Sequence, residues 1–396
     1  MDLFQKAYTY TRVEEAQAQG YYPYFKAIQS GAGSTVMIDG KKFIMIGSNN
    51  YLGLTQDPRV KKAAIDALET FGSGCTGSRF LNGTLTLHEE LEEKLADFVQ
   101  KEATLVFSTG FQTNQGAIST IIGKNDLVFS DRANHASIID GCRLSFGRTY
   151  KFKHNDMDDL RRVLETNDSD TAGKLIVSDG VFSMEGDIVK LPEMAKLARE
   201  FGARIMIDDA HSCGVLGKHG RGTGEHFGMN DSIDLIMGTF SKSFASLGGF
   251  LAGEKKVINY IKHHARALIF SASMPPSAVA TVNAALDILK SEPERLEQLW
   301  KNSNKMKKGF EEMGFNTGVT QSPIIPIIIG DDLKTFYFWK LLFENGIFSN
   351  PVISPAVEPD HALIRTSYMA THTTEELDHV LEIFYKIGKQ SGLIAS

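Results

Sequence analysis

The sequence predicts an α/β protein, a largely parallel sheet covered by helices, followed by a smaller C-terminal α+β domain. Three observations carry this reading. Short β-rich runs at Thr104–Ser108, Asp126–Phe129, Leu175–Ser178, Arg204–Ile207 and Ile233–Met237 alternate with amphipathic stretches, the pattern of βαβ units. From about Pro276 the character changes to long helical stretches and then to strands and helices in alternation. A chain of 396 residues, 42% apolar and 23% charged, is long enough for a substantial core and excludes a disordered or collagen-like protein.

In chain order, residues 1–45 read as an arm rich in aromatic residues, among them Phe4, Tyr8, Tyr10, Tyr21, Tyr22, Tyr24 and Phe25. The arm ends in TVMIDGKKFIMI (35–46), where Asp39-Gly40 between two β-rich runs signals a hairpin. Helices are expected at Leu87–Val99 and Leu191–Phe201, the second with Pro192 in its first turn, where a missing N–H costs nothing. Residues 46–275 form the large domain on this reading, and residues 276–396 the small one. The small domain runs through ATVNAALDILK and RLEQLWKNSNKMKKGFEEMG, the strand-like PIIPIII (323–329), the helical TFYFWKLLFENG, the strand ALIRTSYMA and the closing helix TEELDHVLEIFYKIGK.

Forty-two Lys and Arg against 48 Asp and Glu leave a net charge of −6 with no long run of one sign, so nucleic acid is not an expected partner. Cys75, Cys142 and Cys213 are too scattered for a disulfide framework and have no metal-ligand spacing. No metal is expected, and the compartment reads as reducing, hence cytoplasmic. Neither an apolar run of membrane-spanning length nor a signal-peptide start is visible.

Several short segments could carry chemistry. Gly72-Ser-Gly-Cys-Thr-Gly77 fits G-x-G-x-x-G, but it follows the helical pattern VKKAAIDALETF. Gly72 therefore reads as a helix C-cap, not as the start of a dinucleotide site. In Gly238-Thr-Phe-Ser-Lys-Ser243, Lys242 follows an apolar strand and is flanked by small hydroxyls, which suits a Schiff-base lysine beside a phosphate. A solvated loop lysine is the bland alternative.

Ile207-Asp-Asp-Ala-His-Ser212 lies at the carboxyl end of a strand, where ligands of open parallel sheets bind. Two acids there need a cationic partner, and a protonated pyridine nitrogen would serve Asp208, with His211 a short step along the loop. A structural capping Asp with a core His is the competing reading. Ser108–Asn114 lies between a strand and a helical pattern, where backbone N–H groups with hydroxyls nearby make a ready anion site; taken alone, Thr-Gly-Phe is only a turn. His135 follows another strand end and could stack on a flat ring. Arg365, inside a strand, needs a carboxylate, either a substrate's or an internal one. His263-His264, on the basic stretch YIKHHARA, reads as a solvated or interface face.

Taken together these segments resemble fold-type I pyridoxal-phosphate enzymes, and among them the α-oxoamine synthases. The resemblance runs from SNNYLGL (48–54) through GSRFLNGTLTLHEELE, FSTGFQTN, DRANHASIIDG, DGVFSMEGD, IDDAHSCGVLG and GTFSKSFASLGGF to FSASMPP (270–276). It implies the cofactor pyridoxal 5'-phosphate, bound by Lys242 as a Schiff base. It further implies that Asp208 meets the pyridine nitrogen, His211 and Ser183 the ring oxygen, and His135 the ring face. Gly110, Phe111, Thr239 and Ser241 would hold the phosphate, and Arg365 with Asn49 and His135 the substrate carboxylate.

In this family the site lies at a homodimer interface, and Ser271 and Ser273 would reach the partner's phosphate. GSRFLNGTL (77–85) and MATHT (369–373) are most similar to family members that join L-serine to palmitoyl-CoA, giving 3-oxosphinganine, CoA and CO2. Sister members, such as 2-amino-3-ketobutyrate ligase and 8-amino-7-oxononanoate synthase, share every cofactor residue. The run SPAVEPDHALIR (354–365) departs from the family's usual PPGTSRLR-like approach to Arg365. The aromatic arm has no strongly basic face, so packing across the dimer is favoured over peripheral membrane contact.

Overall fold

The computed structural model describes residues 2–169 and 171–395. Thirteen strands are present: β1 (Thr35–Ile38), β2 (Lys41–Met45), β3 (Ala103–Phe107), β4 (Leu127–Asp131), β5 (Arg148–Phe152), β6 (Lys174–Asp179), β7 (Arg204–Asp208), β8 (Leu235–Thr239), β9 (Gly249–Gly253), β10 (Ile324–Gly330), β11 (Ile347–Phe348), β12 (Asn350–Val352) and β13 (Ala362–Ser367). Seven form the central sheet in the order β3-β9-β8-β7-β6-β4-β5. All run in one direction except β9, which pairs antiparallel with both β3 and β8.

The sheet is buried on both faces, which explains why its strands read as unbroken apolar runs. Along β3, Leu105 and Phe107 join one core while Val106 joins the other. Along β7, Met206 faces the first core and Ile205 and Ile207 the second. Helices 110–121, 136–144 and 255–264 contribute Ile118, Ile138 and Ile261 to one face. Helices 86–99, 157–166, 191–201 and 276–291 cover the other with Leu95, Leu160, Met194 and Leu286.

Two strands of the central sheet, and the short β11 and β12, were not foreseen in the sequence. β5 is an edge strand, RTYKF, with mostly exposed side chains, so it lacks the apolar run that marks its neighbours. β9, GFLAG, is too rich in glycine to score as a strand, yet it is buried throughout.

The smaller core gathers Phe310, Ile325, Ile327, Phe338, Ile364 and Phe384 around the antiparallel sheet β10-β13-β12. The arm's hairpin, β1 with β2, closes through Asp39-Gly40 and pairs with β11, so it is part of the small unit's structure. The change of character at Pro276 coincides with the start of helix 276–291, but that helix packs on the larger core. The chain stays there through Leu299 and reaches the smaller core at Met306, within helix 294–313. Among the described residues, no helix is long and apolar enough to cross a membrane.

Candidate active site

The strands of the central sheet end in polar groups at one edge: Asp131 on β4, Asp179 on β6, Asp208 on β7 and Thr239 on β8. A cavity of about 280 Å³ opens there, against the N-terminus of helix 110–121. Lys242, His135, Asp208 and His211 all line it. So do Gly110, Phe111, Ser183, Thr239 and Ser241.

Lys242 sits in the loop between β8 and β9. That loop is pinned at its base, where Phe240 N–H donates to Gly248 O at 2.9 Å and Ser246 N–H donates to Phe240 O at 2.9 Å. Gly248 has φ +120°, and a Cβ there would stand 2.3 Å from Met274 Sδ, so no other residue fits this turn. Burial lowers the Lys242 pKa to about 8; Asp208 and Asp179 oppose the shift, while Arg365 reinforces it. With that pKa about a tenth of the amine is neutral at pH 7 and about half at pH 8, far more than for a free lysine, and the neutral form is the one that acts as nucleophile or base.

Asp208 is buried and held by two donors, Asn114 Nδ2 at 2.7 Å and the Ala210 N–H at 2.9 Å. The same Asn114 Nδ2 donates to Ser137 Oγ at 2.8 Å, and Ser137 Oγ lies 2.8 Å from His135 Nδ1. His135 Nδ1 also accepts the Ser137 N–H, so in the neutral ring the proton belongs on Nε2. Burial lowers the His135 pKa, offset by Asp208 and reinforced by Lys242. His135 thus stands at the cavity as a neutral ring, wired to Asp208 through two side chains.

The second acid of the pair has the structural task. Asp209 is fully buried and accepts bonds from the Thr223 N–H and hydroxyl, fastening the start of helix 223–227. Burial raises its pKa to about 7, against the Thr223 and Ser212 bonds. The capping reading of Asp-Asp therefore holds for Asp209, while Asp208 is the acid that lines the cavity.

At the opposite end, Thr109 caps helix 110–121 by accepting the Gln112 N–H at 3.1 Å. The Gly110 and Phe111 N–H groups, at the first helical turn, have no acceptor among the described residues. Thr239 Oγ1 and Ser241 Oγ lie 3.0 Å apart beside them. A Cβ on Gly110 would come within 2.7 Å of Thr239 Oγ1, so glycine keeps this corner open. Free N–H groups, hydroxyls and a helix N-terminus make an anion site. An acid at one end, an anion cradle at the other and a lysine of lowered pKa between them fit pyridoxal phosphate by donor chemistry.

Four predicted residues lie off the cavity wall. Arg365, on β13, is buried, and its Nε donates to Ser183 O at 2.5 Å while Nη2 donates to Asn49 Oδ1 at 2.9 Å. It has no acidic partner among the described residues, so its charge is unpaired one bond behind the Ser183 wall. Ser271 Oγ accepts from Gln112 Nε2 at 2.8 Å, and Ser273 Oγ donates to Gly77 O at 3.1 Å. Ser271 therefore stands beside the phosphate-end helix, and both serines lie outside the cavity. Gly77 closes the G-x-G-x-x-G run; Gly72 at its start caps helix 58–71, its N–H bonded to Leu68 O.

Sequence reasoning missed Asp179, Asn114, Ser137 and Tyr51. Asp179 is in register with Asp208 on the neighbouring strand, so the strand-end argument that found Asp208 also reaches it. Burial and Asp208 raise its pKa well above the carboxylate range, while Lys242 opposes the rise. Its Oδ2 accepts the His135 N–H at 3.1 Å. Tyr51 is completely buried, with its hydroxyl 2.7 Å from His211 Nδ1. Nothing in a one-dimensional pattern pairs residues 160 positions apart.

This fold and cavity define a pyridoxal-phosphate-dependent enzyme of fold-type I. The sequence matches the aminotransferase class I and II family over residues 41–384. It is 57% identical to a serine palmitoyltransferase from Sphingobacterium spiritivorum, over 96% of this chain and 95% of that protein. It is 44% identical to an 8-amino-7-oxononanoate synthase from Thermoanaerobacter pseudethanolicus, over 97% of each chain. A solved serine palmitoyltransferase holding pyridoxal phosphate superposes with a TM-score of 0.96 at 36% identity, covering 100% of both chains. The chain belongs to the serine palmitoyltransferase family of soluble bacterial type, within the α-oxoamine synthases. It is a pyridoxal-phosphate-dependent acyltransferase that catalyses a condensation of that type.

Proposed function

We propose that the chain condenses L-serine with palmitoyl-CoA, releasing CoA and CO2 and giving 3-oxosphinganine, the first step of sphingolipid synthesis. The observation that carries this is the unpaired, buried Arg365, set one hydrogen bond behind a cavity that already holds Lys242, Asp208 and His135. Pyridoxal phosphate, when bound, supplies an aldehyde that captures the amine of serine and a ring that accepts electrons from its Cα.

The chain's residues do the rest. Lys242 would hold the cofactor, and its amine, when neutral, would take the proton from serine Cα and later return one. Asp208 would pair with the ring nitrogen and favour its protonated form. His211 and Ser183 address the ring oxygen. His135, which lines the cavity, would pack against the cofactor and, with Arg365 and Asn49, bind the substrate carboxylate. Together they would orient serine for loss of its Cα proton. Gly110, Phe111, Thr239 and Ser241 grip the phosphate.

The working unit we propose is a homodimer. Phe80, Leu81 and Phe270 are 52%, 77% and 75% exposed, and they adjoin Ser271 and Ser273 through the bonds of Ser273 to Gly77. A partner on this face would cover them and receive the two hydroxyls. Leu3, Phe4, Tyr8 and Phe25 of the arm are also exposed, and we assign them to the same assembly in preference to a membrane surface. Three free thiols agree with the reducing cytoplasm.

An absorbance titration tests the substrate assignment. Serine should shift the visible band of the cofactor-loaded enzyme, with glycine and alanine weaker, and palmitoyl-CoA should then release CoA. A protein that responds to alanine or glycine instead would be a sister synthase, the reading that the 44% identity to 8-amino-7-oxononanoate synthase keeps in view.

A further inference from the structure

We propose that Tyr51 is a positioning residue that fixes the proton of His211 on Nε2, so that the imidazole presents an N–H donor to the cavity. The role of that donor rests on the function proposed above; the tautomer does not. The Tyr51 hydroxyl is completely buried between two polar neighbours, His211 Nδ1 at 2.7 Å and the Arg365 guanidinium. The direction of the bond follows from the neighbour on the other side. Arg365 lies close enough for its charge to act on the phenol oxygen, and a guanidinium only donates. The oxygen of Tyr51 therefore faces Arg365, and its single proton faces His211.

Burial raises the Tyr51 pKa to about 12 despite Arg365, so the phenol keeps that proton. His211 is also buried, near Lys242, Arg365 and His135, and all of these lower its pKa. A neutral imidazole has one N–H. With Nδ1 accepting from Tyr51, that N–H is on Nε2. Nε2 has no partner among the described residues, and His211 lines the cavity. The reverse arrangement, with Nδ1–H donating, would leave the phenol proton without an acceptor in a dry core, which is costly.

Tyr51 also joins two halves of the site, because the same hydroxyl lies between His211 on the loop after β7 and Arg365 on β13. Its position in the large unit's core, with Ala370 N–H bonded to Tyr51 O at 2.7 Å, holds it in register with both.

The test uses the cofactor-loaded enzyme labelled with 15N-histidine, with His211 assigned by the signal lost in His211→Asn. The wild type should show His211 as the Nε2–H tautomer, and Tyr51→Phe should show a mixture or the Nδ1–H form. Tyr51→Phe should also lower kcat by about tenfold, the size of one lost buried hydrogen bond. In a His211→Asn background, where the amide donates whatever its neighbour, the same change should cost almost nothing, since the coupling runs through His211. An Nδ1–H signal in the wild type, or an unchanged tautomer in Tyr51→Phe, overturns the proposal. So does an equal loss of kcat in both backgrounds. If the wild type releases no CoA with serine and palmitoyl-CoA, the proposed function fails instead, and the tautomer signal still decides the role of Tyr51.

Discussion

The two ends of the cavity are built on different principles. The ring end is enclosed by one chain: Asp179, Asp208 and His211 are 5%, 4% and 8% exposed, and each is held by groups on neighbouring helices or loops. The phosphate end is open. Phe111, Leu247 and Phe270 around it are 40%, 52% and 75% exposed, and its grip comes from backbone N–H groups and small hydroxyls. The difference follows from the charges involved. An acid paired with a ring cation is strengthened by exclusion of water, so the chain must bury that end itself. A dianionic phosphate is satisfied by many donors at a wet rim, and some of those donors can come from another subunit.

The largest expected effect tests the closed end. Asp208→Ala should lower turnover by about a thousandfold or more, the scale on which an oriented charge in a dry site matters. The fold should survive with little change in Tm, because the substitution also removes a like charge beside Asp179, whose burial is already unfavourable. Turnover within a few-fold of wild type would mean that Asp208 does not hold the ring nitrogen, and Asp179 would become the candidate.

A smaller effect tests enclosure of the lysine. Capture of an aldehyde needs the neutral amine, and the Lys242 pKa is lowered from 10.5 to about 8. The rate at which the cofactor-free protein takes up pyridoxal phosphate should rise about tenfold per pH unit below 8 and level off above it. An exposed lysine would keep gaining to beyond pH 10. The sign for stability is the same. Between about 8 and 10.5 the folded protein binds fewer protons at Lys242 than the unfolded chain, so stability is gained as pH rises through that window.

The contrast between the ends also explains what was legible in the sequence. Lys242, Asp208, His135, Gly110 and Thr239 sit where strands end or helices begin, and those junctions are marked by apolar runs and small residues in one dimension. β5 and β9 escaped, one for its exposed edge and the other for its glycines. Tyr51, Asn114 and Ser137 escaped for a different reason. They act through contacts 23 to 160 residues apart, and although they lie in segments that carry the family resemblance, nothing local pairs them with their partners. Arg365 was recognisable by type, but its unpaired state became visible only when β13 came to lie beside Ser183 and Asn49.

The smallest effect concerns the open end and whether it is shared. Replacing Ser271 and Ser273 together by Ala removes two hydroxyls, each worth about a kcal/mol if it reaches the phosphate, so cofactor retention should weaken by roughly thirtyfold. Within one chain those hydroxyls are occupied elsewhere, by Gln112 and by Gly77, so loss of own-chain contacts alone would change folding stability and not cofactor affinity. Mixed dimers separate the two cases. A chain carrying both Ser→Ala changes, paired with a Lys242→Ala chain, has one competent site. Its lysine comes from the first chain, and on the proposed assembly its extra hydroxyls come from the second. Dialysis of such hybrids should show that site retaining cofactor as the wild type does. Retention as weak as in the Ser→Ala homodimer would place the hydroxyls on their own chain's site and leave the phosphate end, like the ring end, the work of a single chain.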